Sequence, residues 1–319
     1  MTLPMLLLSV FTFVELNCEN LFDCQHDSLK NDTEFLPDGS YRWTHSRYWR
    51  KLKHVGQTII SCGERSGGGE DANPWRLPDL VALCEVENDS VMHDLTHRSI
   101  LRGGCYDYIM TSSPDRRGID VALLYSTFTF RLLSHREVAI RPVKGMSPTR
   151  NLLYAEGMMQ SGDTLHVIVG HLPSRRGGNS HSRPFRRQVA TQIRELIDSV
   201  RGRNQEAFII VAGDFNDYPD SETLRMVCSD DMENISAGAK GSNGARGTYR
   251  YKGKWGSLDH IVVSRSLLPK VTGCRIHDAP FLLSDDDKYG GVQPRRNFLG
   301  PRYLNGFSDH LPLVAEFCF

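Results

Sequence analysis

The sequence predicts an α/β chain of the mixed, α+β kind, and three observations carry that reading. Short apolar runs such as "DLVALCEVE" and "IDVALLY" have the length and composition of buried strands. Two longer stretches repeat apolar residues at helical spacing. Strands and helices also alternate irregularly, without the steady βαβ rhythm of a doubly wound sheet. With 319 residues, 39% of them hydrophobic, the chain is long enough for a sizeable core. No internal repeat or biased linker divides it, so one domain over residues 1–319 is expected, with its core from about residue 9 onward.

In chain order, Ser9 to Leu16 reads as a buried first strand. "HSRYWRKLKHVGQTIISCG" puts Tyr48, Leu52, Val55 and Ile59 on one helical face, with Thr44 as N-cap. "DLVALCEVE" is an apolar strand running into acids, "ENDSVMHDLTHRSI" is helical, and "IDVALLY" is a strand. "TLHVIVGHLPSRRGG" is a strand that stops at a polar, Gly-rich loop. From Pro184 to Arg201, Val189, Ile193, Leu196 and Val200 make an amphipathic helix. "AFIIVAGDFND" is again strand then acid, with Asp220 or Ser221 starting a short helix. "SLDHIVVS" begins a strand with an acid, and Leu311 to Phe317 is the last strand. Three Gly- or Pro-punctuated stretches, 63–78, 236–247 and 284–306, are expected to be loops.

Composition narrows the function classes. A formal net charge of zero argues against indiscriminate coating of nucleic acid, which needs a broad basic face, but permits a local basic cleft. The eight cysteines form no Cys-x-x-Cys pair, and Cys18, Cys84 and Cys318 sit in apolar runs, which suits buried, reduced thiols. No basic residue precedes Lys30, and Glu15 interrupts the N-terminal apolar run before it reaches membrane-spanning length. A cytoplasmic monomer without a transmembrane segment is the expectation, with export to the periplasm or beyond as the alternative.

Buried-looking strands repeatedly end or begin on polar residues. These are Asn17 and Glu19, Glu85, Asp120, His171, Asp214 and Asn216, Asp259, and the pair Asp309–His310. Strands of one sheet bring their ends to a common rim, so these residues can meet in space. Hydrolysis of a phosphodiester adds charge to oxygens that are already anionic. A divalent cation on hard oxygen ligands neutralises that charge, and Mg²⁺ typically takes one or two carboxylates, which suits Glu85 with Glu19 or Asp309. Asp214 suits alignment and deprotonation of the water. Asn216, Asn17, His171 and His310 can hold phosphoryl oxygens, and Asp259 can orient a histidine and keep it cationic. Arg117, Arg175 and Arg176 abut separate motifs and suit bidentate clamping of phosphate. Arg250, Lys252 and Lys254 form a further basic run before Asp259, while Tyr249 and Trp255 suit either stacking on a base or core packing. Each residue alone is as readily a solvated strand end or a turn; the weight lies in their joint occurrence.

The ordered motifs "LNCENLFD", "LCEVEN", "GHLPSRR", "GDFND", "SLDHIVVS" and "SDHLPL" resemble those of the endonuclease/exonuclease/phosphatase superfamily. That group includes pancreatic-type deoxyribonuclease, abasic-site endonucleases, sphingomyelinases and inositol polyphosphate 5-phosphatases. "DRRGIDVALLY", "PSRRGG", "KYGG" and "GFSDHLP" are similar to a bacterial subgroup, many of whose members are exported. The resemblance implies a four-layer sandwich, two mixed β-sheets packed face to face with helices outside. It implies hydrolysis with Mg²⁺, or alternatively Mn²⁺, by in-line attack of water. Carried over by motif, Glu19, Glu85 and Asp309 lie at the metal, Asn17 beside it, and His171 contacts phosphate. Asp214 and Asn216 orient the nucleophile, and Asp259 pairs with His310. His260, directly after Asp259, departs from the Tyr or Gln of many relatives, although strand alternation turns it to the opposite face. Nucleic acid is the substrate expected first. A small or lipid-linked phosphoester is the alternative, and a non-catalytic binding protein comes third because every motif keeps its acid.

Overall fold

The computed structural model describes residues 10–64, 75–175, 177–229 and 231–319. The first half of the chain runs β1 (Val10–Leu21), α1 (His45–Ser61), β2 (Leu80–Val86), α2 (Asp89–His93), β3 (Tyr106–Met110) and β4 (Asp120–Ser126). The second continues with β5 (Phe130–Val138), β6 (Leu152–Met159), β7 (Thr164–His171), α3 (Asn179–Arg201), β8 (Phe208–Asp214), α4 (Glu222–Val227) and β9 (Met232–Asn234). A hairpin, β10 (Tyr249–Tyr251) and β11 (Lys254–Gly256), leads into β12 (Asp259–Ser264) and β13 (Val271–Ile276). Two small hairpins follow: β14 (Leu283–Asp285) with β15 (Val292–Pro294), and β16 (Phe298–Leu299) with β17 (Arg302–Tyr303). The last strand is β18 (Leu313–Cys318).

Two six-stranded mixed sheets result, ordered β13-β18-β1-β2-β4-β3 and β5-β6-β7-β8-β12-β9. Only β1 with β2 and β7 with β8 pair in parallel within them. Alternation along the strands makes the sandwich. Phe11 and Phe13 of β1, with Val167 and Val169 of β7, enter the core between the sheets. Val14, Leu16 and Cys18 turn the other way, onto α1. Ile209 and Val211 pack outward on Val189, Ile193, Leu196 and Val200 of α3. The helices therefore cap both outer faces, and the expected four-layer arrangement is the one observed.

Several boundaries differ from the sequence reading. β1 runs on to Leu21, because the polar motif Asn17–Asn20 continues the strand. Thr44 stands at the N-cap position of α1 without a side-chain cap bond. The helical reading of residues 87–100 splits into the short α2, capped by Asn88, and a π turn at Asp94–Arg98. α3 starts at Asn179, five residues before Pro184, whose ring costs the helix a single backbone bond. Residues 284–306 are not a plain loop but contain the two small hairpins, whose strands of two or three residues are too short to show any period. β5 and β6 had no assignment; β5 is an edge strand with mostly exposed side chains, so it lacks an alternating apolar pattern. Most of the loop expected at 63–78 lies outside the described residues, as does Arg176. All eight cysteines are unpaired, and among the described residues no helix is long and apolar enough to cross a membrane.

Candidate active site

Strand register assembles the pocket from both sheets. His171 at the end of β7 pairs with Asp214 at the end of β8, and Asp214 pairs in turn with Asp259 at the start of β12. Three polar residues thus stand side by side on one sheet edge. Asn17 and Glu85 come from the other sheet, where β1 and β2 slip register between Asn17 and Leu21. Glu19 and Asn20 take φ of 51° and 59° there, and Glu85 takes 61°. Such left-handed backbone is unfavourable outside glycine; here the bulge and the strained residues turn the carboxylates out of the ladder. Asn216, with φ 50°, reverses the chain just after Asp214.

The groups then interlock. Asn17 Nδ2 donates to Asp214 Oδ2 at 3.1 Å, and the Asn216 amide donates to Asp214 Oδ1 at 2.8 Å. Asn216 Nδ2 itself is held by the Leu172 carbonyl at 3.1 Å. His310 Nδ1 lies 2.7 Å from Asp259 Oδ2, and the Ser308 hydroxyl donates to the Asn17 carbonyl at 2.6 Å. His171 Nε2 lies 3.5 Å from Asp214 and 4.0 Å from Glu85. Glu85 and Asp309 join Asp214, Asn216, His171 and His310 around one pocket of about 620 Å³, with Arg117 and Arg175 at its side. A separate pocket of about 420 Å³ is walled by His277 and Asp278. Those side chains bond Ser61 and the amides of Ser242, Asn243 and Ala245, which is structural work.

Burial and neighbouring charge tune the acids and bases. Burial opposes a charge on His310, but Asp259, then Asp309 and Asp214, outweigh it and push its pKa well above the usual imidazole range. His171 goes the other way: burial, then the Arg150 and Arg117 cations, hold it well below that range. Burial and the nearby Asp259 push Asp214 up to about 7. Burial and Asp309 push Glu19 up to about 8, against the pull of Lys51 and two backbone amides.

Not every expected residue faces the pocket. Glu19 turns both carboxylate oxygens to backbone amides, 2.5 Å from Asn297 N and 3.0 Å from Phe298 N, so it fastens the 295–298 segment beside Asp309. Asp120 organises its own loop, accepting from Thr111 and Ser113, and does not line the pocket. Arg250 is spent on the Gly290 carbonyl and Asp286, and Trp255 packs against the inter-sheet core. His260 is fully buried on the face opposite Asp259, bonded to the Asp217 carbonyl at 2.9 Å.

Four residues escaped the sequence reading. Arg296 pairs with Asp309 at 3.1 Å. Lys51 is buried under α1 and donates to the Phe307 carbonyl at 2.5 Å. Tyr218 and Tyr251 line the pocket wall. A fifth group was visible as an oddity: Glu15, the one acid inside the apolar run "VFTFVELN", is wholly buried near Asp259 and Asp214. Burial, with those two acids adding to it, raises its pKa well above the carboxylate range.

The donor set suits a hard divalent cation. Asp214, Asp259 and His310 bring ligand atoms within 4.8 Å of one another, but His310 Nδ1 is already committed to Asp259. Glu85 and Asp309 add carboxylate oxygen in the same pocket. Buried acids raised by desolvation and mutual repulsion are what a bound cation would stabilise.

The endonuclease/exonuclease/phosphatase family model matches residues 12–318, nearly the whole chain. The chain belongs to this family. It is accordingly an enzyme of phosphoester hydrolysis. Similar solved structures include a family member from Bacteroides thetaiotaomicron, with TM-score 0.61, 16% identity and 98% of each chain covered. A mannosyl-6-phosphatase from the same organism has TM-score 0.63 and 17% identity, covering 97% of this chain and all of that one (100%). Truncated TDP2 of Caenorhabditis elegans has TM-score 0.58 and 16% identity, with 97% of each chain covered. At these identities the likeness is one of fold. No curated protein sequence matches the chain.

Proposed function

We propose that the protein is a divalent-metal-dependent hydrolase of small phosphoesters, using Mg²⁺ or Mn²⁺. The observation that carries this reading is the convergence of Asp214, the Asp259–His310 pair, Glu85 and Asp309 on a single pocket of about 620 Å³, within the size range of small-molecule sites. Glu85 and Asp309 would hold the cation, which when bound neutralises charge on the phosphoryl oxygens. Asp214 takes a proton from the attacking water as the water oxygen bonds to phosphorus and the ester P–O bond breaks, the departing alcohol oxygen taking a proton from solvent. Asn17 and the Asn216 backbone amide hold the Asp214 carboxylate in line. His310, kept cationic by Asp259, donates Nε2–H to a non-bridging oxygen as charge accumulates there. Arg117 and Arg175 grip the phosphate from the side.

Nucleic acid, the substrate expected first from sequence, becomes the second reading. The Arg175 guanidinium over the Tyr218 ring at 4.6 Å favours it, since such a pair can hold backbone and base together. The neutral chain and the loss of Arg250 to a structural role weigh against a long basic track. The test is a panel of sugar phosphates, inositol phosphates, nucleotides, plasmid DNA, single strands and RNA, with Mg²⁺ and with EDTA. Turnover of phosphomonoesters that EDTA abolishes is expected; turnover confined to polymers would overturn the small-substrate reading, and EDTA-resistant turnover the metal.

A further inference from the structure

Resting on that hydrolytic reading, we propose that the pocket selects phosphate esters whose alcohol carries a ring, seated against Tyr218 and Tyr251. Both side chains line the catalytic pocket, yet they are 43% and 61% exposed. Large rings open to solvent inside a concave site present faces for a ligand to stack on.

Their placement sets a distance from the chemistry. Tyr249 and Tyr251 are two residues apart on β10, so both point to the same side, toward the pocket. Tyr249 packs on the His310 ring, centroids 4.9 Å apart. Tyr251 therefore lies about 7 Å farther along the strand from the phosphate-binding histidine. That is the reach of a ring joined to the phosphate through its ester oxygen or one intervening carbon. Tyr218 closes the wall from the Asp214 side. A Cβ at Gly256 would come within 2.6 Å of its Cε1, so the ring rests on bare backbone, and Arg175 covers it at 4.6 Å. One guanidinium thus covers a face of Tyr218 and borders the phosphate position. The ligand's ring therefore meets the exposed edge of Tyr218 and the Tyr251 ring, whose other neighbour is Lys252 Nζ, 5.2 Å from the centroid.

The wall is also held in place. Arg250, on the opposite side of β10, ties the hairpin to Gly290 at 2.6 Å and to Asp286 at 3.3 Å. Gly253 at the hairpin turn leaves room for Tyr289, which a Cβ would approach to 2.6 Å. An acyclic alcohol of the same charge would use the metal-proximal acids and the arginines but leave the Tyr251 ring and the exposed edge of Tyr218 wet. The shared chemistry is a flat or chair-shaped ring, which a pyranose and a nucleoside both supply.

The test compares a pyranose phosphate, a nucleoside 5′-monophosphate and glycerol 3-phosphate as substrates of the full chain, and titrates the non-cleavable phosphonates of the same alcohols calorimetrically. At least one ring ester is expected to exceed glycerol 3-phosphate in kcat/KM by about five- to a hundredfold, the range that stacking on an aromatic face gives. Tyr251→Ala and Tyr218→Ala should collapse that ratio, mainly through KM, and Tyr251→Phe should restore it. Equal use of the acyclic ester, or Ala variants that lower all three substrates alike, would overturn the ring preference while leaving hydrolysis intact. Selective binding of ring phosphonates without any turnover would sink the hydrolytic reading and keep this one; binding without selectivity would overturn it. A preference for only one of the two ring types identifies the source of the ring.

Discussion

Two histidines, both buried in one pocket, end up in opposite charge states. His310 sits on Asp259 at 2.7 Å, with Asp309 and Asp214 nearby, and stays protonated far into the neutral range. His171 has carboxylates too, but at 3.5 Å and 4.0 Å, and faces the Arg150 and Arg117 cations, so it is neutral. Burial alone would discharge both. The difference lies in a directly bonded acid on one side and facing cations on the other.

Asp214→Asn should lower kcat by about 10³-fold, within the range for a lost general base, with the circular dichroism of the wild type. Asp259→Asn should cost about 10²-fold, and the NMR titration of His310 should fall below the usual imidazole range; an unmoved titration would mean that Asp259 does not set the charge. On the pH axis, the wild-type rate should climb with rising pH as Asp214 gives up its proton, at a pH that the bound cation draws below the metal-free value of about 7, and decline on the alkaline side as His310 loses its own. Asp259→Asn should bring in the alkaline limb and, because the Asp259 charge helps hold Asp214 up, move the acid limb to lower pH as well. His171→Asn should cost about tenfold and leave both limbs in place, because a neutral donor is replaced by another.

The smallest effect is on stability. Glu19, at about 8, and Asp214, at about 7, hold protons in the folded protein to higher pH than in the unfolded chain. Unfolded chains therefore bind fewer protons than folded ones between pH 5 and 8, and stability falls across that window. In EDTA the melting temperature should drop as pH rises from 5 to 8. Glu19→Gln should flatten the drop, and added Mg²⁺ should offset it most at pH 8.

Much of this was legible in the sequence because its signals were periodic or local. β2, β4, β7, β8 and β12 announced themselves as apolar runs, and all but β4, whose Asp120 serves its own loop, carried their polar residue at the end that reaches the site. Asp259 was expected to pair with a histidine, and it bonds His310. What stayed hidden depends on contacts between distant segments. Glu19 looks like a free strand-end acid until the amides of Asn297 and Phe298 arrive from nearly the other end of the chain. Arg296 sat in what looked like a plain loop. Tyr218 and Tyr251 carry no spacing that separates a pocket wall from a surface. Lys51 lies on the buried side of an amphipathic helix, and its partner is a carbonyl 256 residues on, which no local spacing signals.

The hydrogen bond from Asn17 to Asp214 crosses from one sheet to the other. The machinery is thus split between two slabs joined chiefly by the greasy layer they enclose. Trimming a side chain deep in that layer, Phe13 or Val169, would let the slabs slide by fractions of an ångström. Turnover should then fade on warming well before the strands melt, making the enzyme a gauge of how tightly its own halves are clasped.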